Sequence, residues 1–558
     1  MTTTQRLLLD YVYEHEVKLA QHVYLTQPTG NGQVKEYTWA QVMNEARRMA
    51  THLQSIGLQR GDRVAMLSKN CAHFFIAELA IWMGGFTTVA IFPTEGEATI
   101  RYVLEHSESK AIFVGKLDPT WPQQEKGIPS SLKRIAMPLG PTGPEAGERW
   151  DDIIAKTQPI EGKPARDGKD LALLIYTSGS TGQPKGVMHS FERATAATEG
   201  IVKRIQFKEG DRALSYLPLA HIFERAYIEC VSMVAGGGKI YFAESLDTFV
   251  ADLKRARPTL FLSVPRLWLK FQQGVFAKMP PSRLDFLLKV PILGKSVSKK
   301  VLTGLGLDHV RLAGSGSAPI PAELISWYRK LGLNLMEGYA MTEDFAFSHL
   351  SNEQYNAPGY VGVPYPGVEV KISEEGEILI KSPGTMIGYY KRPDLDAEVF
   401  TADGFFRTGD KGERQANGLL KITGRVKELF KTAKGKYVSP APIENKLNEH
   451  PLIELSCVSG VGQPAAYALV LLAEDQRKKL DEANKAKIEK DLAEWLDKVN
   501  QGLSGYEQLQ MLVVVQEPWS IEKGTLTPTM KLKRARIEQD VAPQLDAWYG
   551  AKKPVLWA

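Results

Sequence analysis

Cysteine is scarce: Cys71, Cys230 and Cys457 are the three in 558 residues. Odd in number and far apart, they exclude a disulfide framework and offer no zinc spacing. A reducing, cytoplasmic setting is the expectation. Long hydrophobic runs are missing too. The longest uncharged apolar-rich window, Leu79 to Thr94, contains Gly84 and Gly85. It falls short of the roughly 20 residues a spanning helix needs, so no transmembrane segment is expected. Met1 to Asp10 holds Arg6 and a short apolar patch without a small-residue cleavage site, and a secretory signal is not expected. Charge of one sign is in short supply: 69 Lys plus Arg against 64 Asp plus Glu leaves +5, too mild a surplus to suggest nucleic acid.

What is present is an ordinary globular composition, 43% hydrophobic and 24% charged, on a chain long enough for about two to four domains. Thr38 can cap a helical run through Val42, Ala46, Met49 and Leu53, and Arg63-Val64-Ala65-Met66-Leu67 follows as a strand. The same grammar recurs at Ala72 to Met83 with Thr87 to Phe92, and at Thr99 to His106 with Ala111 to Val114. Such alternation predicts parallel strands with helices on both faces. Lys116 to Lys169, rich in proline, glycine and charge, reads as a surface excursion. A basic helical stretch spans Leu267 to Leu305, short alternating strands at 359–422 predict a small β-rich subdomain, and a compact tail follows a candidate hinge near Gly424 to Lys427.

The centre of the chain is Y-T-S-G-S-T-G-Q-P-K-G, Tyr176 to Gly186, directly after the apolar run Leu171 to Ile175. A buried strand that empties into Ser, Thr and Gly presents N–H and hydroxyl donors to an anion, and Lys185 adds charge. The bland alternative is a flexible linker, but linkers rarely follow a buried strand. The spacing is not G-x-x-x-x-G-K-[ST], which argues against a P-loop NTPase or kinase.

Five further strings follow. Leu217 to Arg225 (LPLAHIFER) puts His221 at a strand's C-terminal end, where open α/β sheets place ligands; a lone histidine serves structure as readily, and Glu224 with Arg225 reads as a local ion pair. Gly314 to Pro319 (GSGSAP) lets a flat ring approach a backbone, or simply enters the helix that Pro321 starts. Glu337 to Asp344 (EGYAMTED) offers a ring, a hydroxyl and two carboxylates able to stack a base and hold Mg²⁺, or a solvated acidic pair. Thr408-Gly409-Asp410 and Gly424-Arg425-Val426-Lys427 can hold ribose hydroxyls through Asp410, with Arg425 completing the contact.

In this order the strings TSGSTGQPKG, LPLAHIFERA, GSGSAP, EGYAMTED, RTGD and GRVKELFKTAKGKYVSP resemble the adenylate-forming superfamily, from about Tyr37 to Arg534. LPLAHIFERA, Ser263 to Leu267 and Leu526 to Arg534 look most like its long-chain fatty acyl-CoA synthetases. The resemblance implies an α/β fold with a large N-terminal domain at 1–424, a hinge at 425–427 and a small mobile α+β domain at 428–558. It implies that Thr177, Ser178, Gly179, Ser180, Thr181, Gly182 and Lys185 hold ATP phosphates. Gly316, Ser317, Ala318, Tyr339 and Thr342 then frame the nucleotide, Asp410 and Arg425 bind ribose, and Glu343 with Thr177 holds Mg²⁺. His221 orients the carboxylate or pyrophosphate, Lys531 acts in the first step, Lys427 sits at the hinge, and Gly435 lines the coenzyme A tunnel.

The reaction so implied is AMP-forming activation of a fatty acid and transfer to coenzyme A, with a carrier protein or another carboxylic acid as alternatives. Fatty acid, ATP and CoA are the expected partners; peripheral contact with the inner face of a membrane and a homodimer stay open. Two departures stand out: Met530 occupies the glycine position before Lys531, and Ala340 replaces a glycine. Arg283, Lys289, Lys295, Lys299 and Lys300 form either a solvated helix face or a surface for anionic lipid or CoA phosphates.

Overall fold

The computed structural model describes residues 5–177 and 183–558. Two large sheets carry the N-terminal part. One has eight strands, in the spatial order Gly388–Tyr389, Lys185–Ser190, Leu171–Thr177, Thr87–Ile91, Arg63–Leu67, Ala111–Val114, Lys133–Ala136, Glu148–Arg149; the other has nine, with Leu260–Ser263, Leu312–Ser315 and Leu335–Tyr339 side by side. Pairing is parallel through their centres and turns antiparallel at edges such as Leu171–Thr177 against Lys185–Ser190. Parallel strands covered on both faces read as continuous apolar runs, which is why Leu171 to Ile175 announced one.

The helix Ala72–Gly84 is buried along its whole length, and its side chains share one core with residues of both sheets, among them Met66, Leu25, Ala213 and Phe242. A helix apolar on nearly every side, with His73 and Glu78 its buried polar side chains, belongs in the interior. Thr38 caps Trp39–Ser55 through the Gln41 N–H, and Gln41 reaches back to the Thr38 N–H, a reciprocal cap worth about 1 kcal/mol.

The proline-rich stretch 116–169 departs from the surface excursion expected of it. Lys133–Ala136 and Glu148–Arg149 extend the eight-stranded sheet, and Trp121, Ile135, Trp150 and Ile153 are buried. Prolines lie between these short elements rather than in them, so composition hid what four-residue strands do.

Glu369–Ile372, Glu377–Lys381, Phe406–Arg414 and Leu420–Arg425 form a separate antiparallel sheet. Gly424, which ends it, has φ +154°, and a Cβ there would meet the Ser439 hydroxyl, which donates to the Thr423 carbonyl. Beyond it, Ile453–Ser459, Ala466–Leu472, Leu509–Val515 and Val555–Trp557 build a four-stranded sheet with cores of its own. Among the described residues no helix is long and apolar enough to cross a membrane.

Candidate active site

The chemistry-bearing strings converge on a cleft at the strand ends. Thr177 and Lys185 face each other in register at the ends of the antiparallel strands Leu171–Thr177 and Lys185–Ser190; Ser178, Gly179, Ser180, Thr181 and Gly182 lie outside the described residues. The Lys185 ammonium stands over the Tyr389 ring, 5.1 Å from its centroid, and the Tyr389 hydroxyl donates to Glu343 Oε1 at 2.8 Å. Burial, then the Glu343 charge, drives the Tyr389 phenol upward, so it stays a neutral donor. One Glu343 oxygen is thus occupied, and among the described residues the other has no hydrogen-bond partner. A single carboxylate, the Thr177 hydroxyl and substrate phosphate oxygens are a donor set that suits Mg²⁺. Among the described residues no group of three or more His, Cys, Asp or Glu offers a protein-only metal cage.

Asp344 does different work from its neighbour. It is buried, accepts from the N–H of Met341 (3.0 Å) and Phe347 (3.3 Å), and burial pushes its carboxyl up to about 8. It pins the turn that aims Glu343. Thr342 is buried too, its carbonyl accepting from His189 Nε2 at 2.8 Å.

On the ribose side, Asp410 and Arg425 are cross-strand partners. Arg425 Nε donates to Asp410 Oδ1 at 2.9 Å and the Tyr339 hydroxyl to Oδ2 at 2.7 Å. Gly316 donates its N–H to the Ser263 carbonyl at 3.2 Å, Ser317 adopts φ +67°, and the Phe223 ring lies beside Gly316, a slot for a flat group next to Tyr339. Ala318 is exposed beside them. Glu337 lies behind this loop: it accepts from the Ile320 N–H, its other oxygen has no partner among the described residues, and burial raises its carboxyl to about 7.

His221 opens the helix after Ala220, its Nδ1 accepting from the Phe223 N–H at 3.3 Å, which assigns the ring proton to Nε2. Burial, then Lys531, pushes its pKa down to about 3, leaving a neutral donor. The local ion pair expected of Glu224 and Arg225 is not formed. Arg225 turns to Glu78, with Glu229 at 3.8 Å, at the start of a π-helical stretch Arg225–Cys230. Glu224 instead accepts from the Tyr216 N–H at 3.0 Å, and burial pushes its carboxyl up to about 8.

Lys531 comes from the C-terminal sheet's side of the molecule. It ends a three-residue hairpin loop in which Thr527 N–H donates to Lys531 O at 2.8 Å, Met530 N–H to Thr527 O at 2.8 Å, and Lys531 N–H to Thr527 Oγ1 at 3.0 Å. Met530 takes the left-handed position such loops normally give to glycine, at φ +62°. Water reaches the Lys531 side chain, yet the cleft encloses its ammonium enough for burial, then Arg425, to lower its pKa, opposed by Asp410, Glu343 and Glu428. Lys533, two residues on, answers instead to Glu95. Gly435 lies outside this constellation, in the exposed turn between Phe430–Lys431 and Tyr437–Val438, with the Lys431 side chain nearest. Lys427 is exposed on the turn Val426–Glu428.

The sequence matches the AMP-binding enzyme family at residues 15–390 and the AMP-binding enzyme C-terminal domain at 428–553. This chain belongs to the AMP-binding enzymes. Relatives include the long-chain-fatty-acid–CoA ligase FadD15 of Mycobacterium bovis, 31% identical over 96% of each chain. Long chain acyl-CoA synthetase 5 of Arabidopsis thaliana is 29% identical over 91% of this chain and 86% of that one. Among solved structures, the A-PCP didomain of carboxylic acid reductase from Segniliparus rugosus in complex with AMP superposes with a TM-score of 0.81 at 22% identity, covering 98% of this chain and 83% of the other.

Within this AMP-binding enzyme, sequence reading missed three supports of the site. Tyr389 sits in the two-residue strand Gly388–Tyr389, too short for any periodicity to mark its contact with Glu343. His189, whose Nε2 meets the Thr342 carbonyl, lies in no string that sequence reading singled out. Asn70, whose amide donates to Ser215 Oγ (2.8 Å) and the Leu217 carbonyl (2.7 Å) and accepts from the Leu219 N–H, ties the approach to His221 to a distant loop.

Proposed function

We propose that this protein is an AMP-forming fatty acid–CoA ligase acting on long-chain acids. The observation that carries the reading is the arrival of Lys531, from beyond residue 428, among Arg425, Asp410, Glu343 and His221. A carboxylate is a poor electrophile. Its oxygen attacks the α-phosphorus of ATP, pyrophosphate leaves, and the mixed anhydride then loses AMP to the thiol of coenzyme A. In the first step negative charge gathers on α-phosphate oxygens, where Lys531 is placed to stabilise it. Thr177 and Glu343 would hold Mg²⁺, which supplies charge neutralisation at the phosphates when bound.

Asp410 exchanges its internal partners for ribose hydroxyls, with Arg425 completing the contact. Tyr339 and the Gly316 to Ala318 slot hold adenine. His221, neutral throughout the physiological range, orients by donating from Nε2 rather than by carrying charge. Lys185 and the loop after Thr177 hold the terminal phosphates. The second step needs the acyl carbon open to a thiol, and a lysine parked there obstructs it. A swing of 428–558 about 425–427 withdraws Lys531 and brings up Gly435, which stands exposed and uncommitted. Peripheral contact with a membrane belongs to the same reading, because the acid substrate partitions into lipid.

The test is AMP release by the purified protein with ATP, Mg²⁺ and CoA, across acids from acetate to long-chain fatty acids and an aromatic acid. A maximum at long chains supports the proposal. Activity confined to short or aromatic acids overturns the substrate, and pyrophosphate release without a CoA thioester transfers the second step to a carrier protein.

A further inference from the structure

We propose that the face formed by the helices Pro281–Lys289 and Pro291–Leu305 docks on an anionic phospholipid bilayer. Four large apolar side chains stand exposed within eight residues here: Phe286 (68%), Val290 (39%), Ile292 (88%) and Leu293 (45%). They are surplus to packing. The first helix turns Leu284 and Leu288 to the core around Trp268 and Phe271, and Phe286 lies two residues from each, on the opposite side. The second commits Val297, Val301, Leu302 and Leu305 to that core and leaves Ile292 and Leu293 in its outward first turn. Gly294 fixes the corner, since a Cβ there would strike the Leu288 carbonyl. A contiguous apolar tip on a rigid corner marks an interaction surface.

Charge selects the partner. Between Lys278 and Leu305 there are six basic residues and one acid, a surplus equal to that of the entire chain. The acid, Asp285, is already engaged by Lys330 at 3.7 Å, whereas none of the six cations has a carboxylate within ion-pair distance among the described residues. Lys295 and Lys299 follow Ile292 at helical spacing, so the apolar tip continues into a cationic stripe. Beside the stripe a cavity of about 750 Å³ is rimmed by Lys254, Arg257, Lys299 and Lys300, with Ser296 between them; Asp308 on the same rim is held by Arg257 at 3.3 Å. Apolar side chains that enter the acyl boundary, next to cations at phosphate depth, are the arrangement of an interfacial helix pair. A protein partner of opposite charge would satisfy the lysines but leave Ile292 and Phe286 unexplained. The choice of a bilayer rests in part on the ligase reading, because the acid it consumes is stored there; the surface itself does not.

The experiment is co-sedimentation of the full-length protein with vesicles of phosphatidylcholine alone and of phosphatidylcholine with an equal amount of phosphatidylglycerol. Binding is expected only to the anionic vesicles and is lost in high salt. The triple charge reversal Lys295→Glu, Lys299→Glu, Lys300→Glu is expected to weaken it by at least roughly 100-fold, and Phe286→Ser with Ile292→Ser to do so at unchanged charge. AMP release from a water-soluble acid should remain at the parent level in both, which separates loss of docking from loss of the fold and from failure of the ligase reading. Because Cys71, Cys230 and Cys457 are buried, Ile292→Cys can be labelled selectively with an environment-sensitive dye, whose emission should shift to the blue on anionic vesicles. Equal binding to both vesicle types, variants that bind like the parent, or an unshifted dye would overturn the proposal. So would a dimer in lipid-free solution that Phe286→Ser with Ile292→Ser dissociates, since the face would then belong to a second copy.

Discussion

Two arginine–carboxylate clusters, one in the cleft and one in the core, differ in water rather than in chemistry. Arg425 meets Asp410 in the cleft with side-chain exposures of 54% and 14%, whereas Arg225 meets Glu78 and Glu229 in the core with exposures of 1%, 0% and 0%. The cleft pair can trade partners with a ligand, because neither charge is stranded when the bond opens. The core cluster has no such freedom. Two carboxyls share one guanidinium there, and burial raises the pKa of both, with Arg225 opposing it. In the proposed reading the cleft cluster recognises the nucleotide, while the core cluster holds the segment before His221 through the Arg225 contact with the Leu219 carbonyl.

The comparison breaks most visibly at Arg225. Arg225→Met strands Glu78 in the core and is expected to cost about 3–5 kcal/mol of stability, measured by chemical denaturation, while Arg425→Met should cost under about 1 kcal/mol and act on ATP binding instead. Equal losses would mean that burial is not what separates the two clusters. Next in size is Lys531→Ala, which removes the charge delivered into the cleft. Pyrophosphate–ATP exchange should fall by about 10²–10³, with CoA-dependent consumption of supplied acyl-adenylate retained and Lys533→Ala much milder. Asp410→Asn keeps the shape and removes the acceptor charge; a charged hydrogen bond is worth about 1.5–3 kcal/mol, read as a rise in ATP KM of roughly tenfold or more.

The smallest effect concerns pH. Glu224 keeps its proton to about 8 in the folded protein, against 4.5 for an ordinary glutamate. Between those values the unfolded chain has released a proton that the folded chain still binds, so stability falls as pH rises across that window. Glu224→Gln removes this contribution, and the melting temperature should decline by a few degrees less from the acid to the alkaline end. An identical decline in both proteins would show that Glu224 ionises in the fold.

Much of this architecture could be read before any coordinates. Parallel strands announced themselves because burial on both faces makes them uniformly apolar, and the order of the six strings is the order in which the chain visits one cleft. What escaped reading was contact across distance. Glu224 beside Arg225 looked like a pair, yet Arg225 finds Glu78, 147 positions away, because the helical turn sends adjacent side chains in different directions. Tyr389 reaches Glu343 from 46 positions away. Sequence reading chose Lys531, although Met530 in the glycine position before it weakened the choice against Lys533. Lys531 follows the left-handed Met530 and reaches the cleft, whereas Lys533, the residue before the helix Arg534–Val541, stands near Glu95.

The turn Val426–Glu428 joins two parts with separate hydrophobic cores, and the lysine that the cleft recruits lies on the far side of it. A short tether of this kind holds its cargo at an effective concentration on the order of millimolar. A single proteolytic cut at Lys427 would leave both cores folded and every side chain in place, yet adenylation would become a meeting of two fragments. Its rate would then fall with dilution, as that of the intact chain does not.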